Sequence, residues 1–181
     1  AMNIKRLMDV VASIFALIIL FPLLLFVALR VKLSSKGPVF YSQERIGLKG
    51  KPFYIHKFRS MRTDAEQNGP ALSSETDQRI TAWGKVMRKW RLDELPQLLN
   101  ILLGEMSLVG PRPCLFNQLE LINERAARAV FDARPGITGL AQVSNIDMST
   151  PKLLAETDAR MLQSLDLSSY FKYIFMTVGG K

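Results

Sequence analysis

Twenty consecutive residues, 10–29, carry no charge: VVASIFALIILFPLLLFVAL. As a helix rising about 1.5 Å per residue they would reach about 30 Å, the thickness of a bilayer hydrocarbon core. A buried helix of a soluble domain is usually shorter and shows a polar face, which this run lacks. A cleaved signal peptide has a shorter apolar region and a small-residue cleavage site, and neither is present. Membrane insertion is the remaining reading. Pro22 stands inside the run. It removes one backbone hydrogen bond and clashes with the preceding turn, which predicts a kink or break near Phe21–Pro22. Lys5 and Arg6 precede the run, and Arg30, Lys32 and Lys36 follow it. A simple span would carry its positive excess on one side only. The expectation is therefore a re-entrant helix over residues 2–32 that enters and leaves by the cytoplasmic face, with a straight span as the alternative. The carbonyl freed near Ile18 would need water, Ser13 or the protein's own interfacial helices as a partner. Ala1 reads as an addition ahead of a natural start at Met2.

Residues 33–181 are expected to form one catalytic domain on that same face. The chain of 181 residues is 48% hydrophobic, enough for a packed core. Lys and Arg number 24 against 16 Asp and Glu. The imbalance is local: residues 30–92 carry 14 basic and 5 acidic groups, whereas 93–181 carry 8 and 10. The one cysteine, Cys114, excludes an internal disulfide and a cysteine-based zinc site. The one histidine, His56, excludes a multi-histidine metal site and argues against a triad hydrolase.

Along the chain, residues 37–60 read as a β-hairpin, with Gly47, Gly50 and Pro52 supplying the turn. Residues 63–80 are polar and turn-rich and predict a mobile surface loop, able to close over a bound substrate. Residues 82–91 place Trp83, Val86, Met87 and Trp90 at helical spacing opposite Lys85, Arg88, Lys89 and Arg91. That pattern suits either an interfacial helix or a core stripe with a solvated face. A helix is expected over 93–103, with Asp93 and Glu94 in its first turn and Gly104 closing it. Another is expected over 115–131, with Leu115, Leu119, Ile122, Ala126 and Val130 on its buried face. Residues 152–170 predict a final helix, followed by a short apolar stretch. The fold class is thus α+β, mostly helical, with a small hairpin and amphipathic interfacial helices.

The chemistry should sit at the adjacent acids Asp93 and Glu94. Arg88, Lys89 and Arg91 precede them. Proline-bounded loops bearing arginine follow, at Gly110-Pro111-Arg112-Pro113 and Arg134-Pro135-Gly136. Rigid arginine forks beside helix starts are good phosphate receptors. Two carboxylates can hold Mg²⁺, and a carboxylate can attack phosphorus to form an acyl phosphate. The residues therefore allow phosphoryl-type transfer on an anionic substrate at a membrane surface. Two other readings stay open: a membrane-anchored basic protein holding nucleic acid or anionic lipid through residues 30–91, and a Mg²⁺-dependent phosphohydrolase.

At these residues the chain resembles the bacterial sugar transferase family, in its small monotopic form that acts on polyprenyl phosphate. The matching stretches are KRLMDVV (5–11), GPVFYSQERIG (37–47), FYIHKFRSM (53–61), LDELPQLLNILLGEMSLVGPRP (92–113) and RPGITGLAQV (134–143). The resemblance implies transfer of a sugar 1-phosphate from a UDP-sugar, of N-acetylated hexosamine type, to undecaprenyl phosphate. UMP is released and Mg²⁺ is required. It implies a phosphosugar carried covalently on Asp93, with Glu94 as its partner for the metal. Arg112 is then a phosphate clamp, and Lys57, Arg59 and Arg88 are further phosphate-binding candidates. It implies the cytoplasmic face of the bacterial plasma membrane, with membrane lipid as a partner and no nucleic acid. One position departs from the family pattern. Members often have a serine before the membrane proline, and here that residue is Phe21.

Overall fold

The computed structural model describes residues 3–63 and 77–179. Most of the substrate-loop expectation, at residues 64–76, lies outside the described residues. The fold is mostly helical, with two small sheets and one long apolar N-terminal helix. That helix, α1 (Ile4–Ser34), begins at Asn3, whose side chain accepts from the Arg6 amide at 2.8 Å. It runs unbroken through Pro22. A full break at Phe21–Pro22 is therefore absent: the helical backbone continues for 31 residues. Proline removes a single N–H, and the neighbouring turns are held from outside the helix. Leu17 packs against the core around Ile55 and Ile101, and Leu23 and Leu24 pack around Phe58 and Met87. Ser13 is buried, and its hydroxyl has no hydrogen-bond partner among the described residues.

One face of α1 docks and the rest stays apolar and exposed. Asp9, Ser13, Val27 and Val31 are buried, whereas Val11, Phe15, Ile18, Ile19, Phe21, Leu25 and Leu29 are exposed. This is the only described helix long and apolar enough to cross a membrane by length and composition; its most apolar 18-residue window has mean hydropathy 3.0. Both of its ends attach to the same domain. Near the start, Lys5 Nζ donates to the Val109 carbonyl at 3.0 Å, and Asp9 accepts from Ser107 Oγ and Tyr170 Oη, each at 2.5 Å. Near the end, Val27 and Val31 pack on Phe58 and Met87.

The hairpin appears as expected, β1 (Phe40–Ile46) antiparallel to β2 (Pro52–Phe58), with Tyr41 opposite Lys57 and Arg45 opposite Phe53. Lys49 and Gly50 turn the chain with positive φ. Next comes α2 (Ala82–Lys89), capped by Thr81. Its stripe divides: Trp83 and Met87 pack on α1, while Val86 and Trp90 stay exposed. A Cβ on Gly84 would lie 2.1 Å from the Ser60 carbonyl oxygen, so only glycine lets α2 sit this close to the end of β2.

Asp93 and Glu94 fall in a short 3-10 turn, Leu92–Glu94, not in the first turn of α3 (Gln97–Leu102). Arg91 enters that turn in the left-handed region, φ 56°, and Pro96 caps α3. Because proline has no N–H to bond backward, α3 starts after it. Asn100 then ties α3 to β2, donating to the Tyr54 carbonyl at 2.8 Å and accepting from the His56 amide at 3.1 Å.

Strand β3 (Ser107–Val109) pairs in parallel with β4 (Gly136–Thr138). The helix expected over 115–131 is shorter, α4 (Leu119–Ala126). Its buried residues are Leu121 and Arg125, and Leu119 is exposed. The chain before Leu119 is not helical, and α4 turns the face of Leu121 and Arg125 toward Leu154 and Asp158 of α6. Helix α5 (Leu140–Val143), α6 (Pro151–Ser164) and α7 (Leu167–Val178) complete the fold. The apolar tail is thus itself helical, opened by a capping box between Asp166 and Ser169.

Candidate active site

Three cationic side chains from three elements converge on the acid pair. On β2, Lys57 shares the inward face with Phe53 and Ile55, following the two-residue alternation of a strand. On α2, Arg88 Nε donates to Ser60 Oγ at 3.0 Å, on the residue that Gly84 allows the helix to approach. In the loop after β3, Arg112 Nη2 lies 3.0 Å from Glu94 Oε1. Asp93 is buried, and its carboxyl forms no ion pair among the described residues.

The two acids are driven apart electrostatically. Burial raises the Asp93 carboxyl above its ordinary value and the Glu94 charge adds to this, while Lys57 and Arg88 pull against it. Burial also acts to raise Glu94, but Arg112, Lys57 and Arg91 together hold it down at about 2. Lys57 is pushed down to about 8, mainly by burial, with Arg112 and Arg45 adding to the fall and the two acids opposing it. A permanently ionised Glu94 thus anchors the Arg112 fork. Asp93 is the more basic carboxylate, the better suited of the two to attack an electrophile.

The loop that carries Arg112 is built by close glycine packing. A Cβ on Gly136 would lie 2.0 Å from the Gly110 nitrogen, and one on Gly110 would lie 2.5 Å from the Arg134 carbonyl oxygen. No side chain fits between these backbones, which is why glycine stands both in β4, at Gly136, and just after β3, at Gly110.

A family model for bacterial sugar transferases matches residues 1–180. The chain belongs to the bacterial sugar transferase family. It is 40% identical over 177 residues to the uncharacterized sugar transferase EpsL of Bacillus subtilis (strain 168), covering 98% of this chain and 86% of that protein. It is 38% identical over 180 residues to the UDP-N-acetylgalactosamine-undecaprenyl-phosphate N-acetylgalactosaminephosphotransferase of Aeromonas hydrophila, covering 97% of this chain and 43% of that protein. It is 45% identical over 155 residues to the UDP-glucose:undecaprenyl-phosphate glucose-1-phosphate transferase of Xanthomonas campestris pv. campestris, covering 82% of this chain and 31% of that protein. The chain therefore spans most of the first relative and less than half of the other two.

Of the candidate residues singled out from the sequence, the structure brings Asp93, Glu94, Arg112, Lys57 and Arg88 together. It places Arg59 elsewhere. Its guanidinium donates to the Pro38 carbonyl at 2.7 Å, to Ser35 Oγ, to the Ser35 carbonyl at 3.0 Å and to the Met61 carbonyl at 3.2 Å. Arg59 thus closes the loop between α1 and β1.

Arg45 joins the cluster without having been singled out. Its Nε and Nη2 donate to Gln43 at 3.1 and 2.7 Å, and Nη1 donates to the Pro113 carbonyl at 2.7 Å. Burial and the neighbouring Arg112 push it down to about 10. The signal was present in the strand alternation, which puts Arg45 and Gln43 on the face of the hairpin that carries Lys57.

Among the described residues no group of three or more His, Cys, Asp or Glu could hold a metal ion. Mg²⁺ usually takes only one or two carboxylates and completes its shell with water and substrate phosphate. Asp93 and Glu94 fit that mode of binding, with Glu94 already sharing one oxygen with Arg112.

Proposed function

We propose that this chain transfers a sugar 1-phosphate from a UDP-sugar to undecaprenyl phosphate and releases UMP, at the cytoplasmic face of the bacterial plasma membrane. The observation that carries the reading is the buried Asp93 beside an Arg112-anchored Glu94, ringed by Lys57 and Arg88. Such a site pairs a nucleophile with charge complementary to a diphosphate. The names of the Aeromonas and Xanthomonas relatives describe the same reaction class.

In the first step an Asp93 carboxylate oxygen attacks the sugar-bearing phosphorus of the UDP-sugar. A P–O bond forms to Asp93, the P–O bond to UMP breaks, and UMP leaves with the electron pair. In the second step a phosphate oxygen of undecaprenyl phosphate attacks the same phosphorus. The acyl phosphate breaks, freeing the Asp93 carboxylate and giving the lipid diphosphate sugar. Arg112, Arg88 and Lys57 neutralise the transferring phosphoryl group. Lys57, lowered to about 8, gives that charge a pH limit. Mg²⁺, held by Asp93 and Glu94, would withdraw charge from the diphosphate oxygens.

The membrane placement follows from α1. Its exposed apolar face calls for lipid. Its two ends hold one and the same domain, which favours both ends on one side of the bilayer. An N-acetylated hexosamine, as in the name of the Aeromonas relative, is the proposed donor sugar; glucose, as in that of the Xanthomonas relative, is its competitor.

The test is UMP release from a panel of UDP-sugars, with and without undecaprenyl phosphate, together with intact-mass analysis. The expected result is lipid-dependent turnover for one donor class and a phosphosugar adduct with donor alone. Sugar phosphate released into water without a lipid product would identify a phosphohydrolase instead.

A further inference from the structure

Four successive carbonyls after β3 are taken by three other elements, β4, α4 and β1. The Pro111 carbonyl accepts from the Gly136 amide at 2.8 Å and the Cys114 carbonyl from the Ile46 amide at 2.9 Å. Between them, the Arg112 carbonyl accepts from Arg125 Nη1 at 2.6 Å and the Pro113 carbonyl from Arg45 Nη1 at 2.7 Å. Pro111 and Pro113 have ring-locked φ angles. The segment 111–114 is a strap with little freedom left, and Arg112 is its charged side chain.

Arg125 is in turn oriented by α6. Its Nε lies 3.0 Å and its Nη2 2.9 Å from Asp158 Oδ2, and both side chains are 2% exposed. A buried pair of this kind seldom stabilises a fold more than apolar packing would. Apolar packing is at hand, since Leu121 of α4 and Leu154 of α6 share one core cluster. What the pair adds is direction: one edge of the guanidinium meets Asp158, and Nη1 meets the Arg112 main chain. The Arg112 side chain meanwhile reaches Glu94.

We propose that Arg125, held by Asp158, is a positioning residue for the reaction: it fixes the strap so that the Arg112 fork is presented ready-made to Glu94 and to the donor diphosphate. The inference rests on the function proposed above. It assigns a buried α4–α6 ion pair to the setting of a phosphate clamp that it reaches through the main chain of Arg112.

Arg125→Lys keeps the charge but not the fork, so one ammonium must choose between Asp158 and the strap. In the micelle-solubilised enzyme, kcat/KM for UMP release should fall about 100-fold, the order expected for a displacement of about 1 Å in a clamping group. Asp158→Asn, which leaves Arg125 in place, should give a smaller fall and serves if the lysine variant fails to fold. A purely structural role is separated by a double-mutant cycle. In an Arg112→Ala background, Arg125→Lys or Asp158→Asn should have less than about a twofold further effect, because the clamp they set is gone. Multiplying losses would overturn the proposal.

A readout without activity uses Cys114, the only cysteine of the chain, fully buried in the strap. Its labelling by a thiol reagent should quicken in both variants at temperatures well below unfolding. Unchanged labelling together with unchanged kcat/KM would also overturn the proposal. If the wild type released no UMP from any donor, the functional reading would fail, and backbone hydrogen exchange of the strap amides at Arg112 and Cys114, which the thiol's own electrostatics do not move, would then decide whether Arg125 holds the strap.

Discussion

Arg112 Nη2 stands 3.0 Å from Glu94 Oε1, and this contact makes two adjacent acids chemically unlike. Glu94 is held at about 2 with its charge spent on the clamp, while burial and the Glu94 charge raise Asp93.

Asp93 should trade stability for activity. Asp93→Asn keeps the shape and removes a buried charge that its surroundings disfavour. Turnover should drop on the order of 10⁴-fold or more, as for loss of other covalent nucleophiles. The thermal midpoint at pH 7 should rise, because the raised carboxyl costs stability wherever it is ionised. Turnover is read by UMP release and the midpoint by calorimetry in micelles. Wild-type-like activity in this variant would remove Asp93 from the nucleophile role.

Glu94 should stabilise the fold in a defined pH window. Its folded value, about 2, lies below the ordinary 4.5. Its contribution is therefore fully present above about pH 4.5 and is lost as pH falls toward 2. The difference in unfolding midpoint between wild type and Glu94→Gln should shrink from pH 6 to pH 3. Arg112→Ala should cost about 1–2 kcal/mol at pH 7, less than for a fully buried pair, since the Arg112 side chain is 36% exposed. A difference that grew on acidification would contradict the assignment.

Gly136→Ala should disrupt the site from a distance. The added Cβ meets the Gly110 backbone nitrogen at 2.0 Å, and backbone cannot swing aside. Separation of β3 from β4 should cost about 3 kcal/mol or more and displace the Arg112 loop. Expression level and unfolding midpoint report the first effect and UMP release the second. An alanine variant with native stability would mean that the two backbones do not approach this closely.

The two ends of α1 should face the same side of the membrane. Asp9 is bound by Ser107 and Tyr170, and Val31 packs on Phe58, all within one domain. Single cysteines at Asn3 and Lys36, with Cys114 left buried, should both be shielded from an impermeant reagent in intact cells. Both should react after lysis. Labelling of position 3 alone in intact cells would mean that the helix spans. Because α1 is already unbroken at Pro22, Pro22→Leu should leave this pattern unchanged as long as the Asp9 contacts hold.

The apolar length of α1, the hairpin, α2 and the acid pair were all legible in the sequence, because each rests on local pattern: an uncharged run, strand alternation, helical spacing, a motif. Its limits show at particular residues. Pro22 argued for a break because the sequence displays its missing N–H and not the packing of Leu17, Leu23 and Leu24 that carries the helix past it. Arg59 and Lys57 stand two apart in one motif, yet four backbone and hydroxyl contacts claim the first and the acid pair claims the second. The buried face of α4 was expected at Leu119, Ile122 and Ala126, but packing of α4 on α6 buries Leu121 and Arg125 instead, because Asp158 gives the Arg125 charge a buried partner that the local pattern does not show.

The sequence by itself determined which segment is long and apolar, which segments can pair as strands, and where acids and arginines stand close along the chain. Only the tertiary structure decided which cations reach the acids, and hence that Glu94 is a fixed anion and Asp93 the more basic carboxylate. The reason is physical. Hydrophobic pattern and backbone propensity act over a few residues, whereas charges interact through space, and folding brings Lys57, Arg88 and Arg112 from three separate elements to one pair of carboxylates.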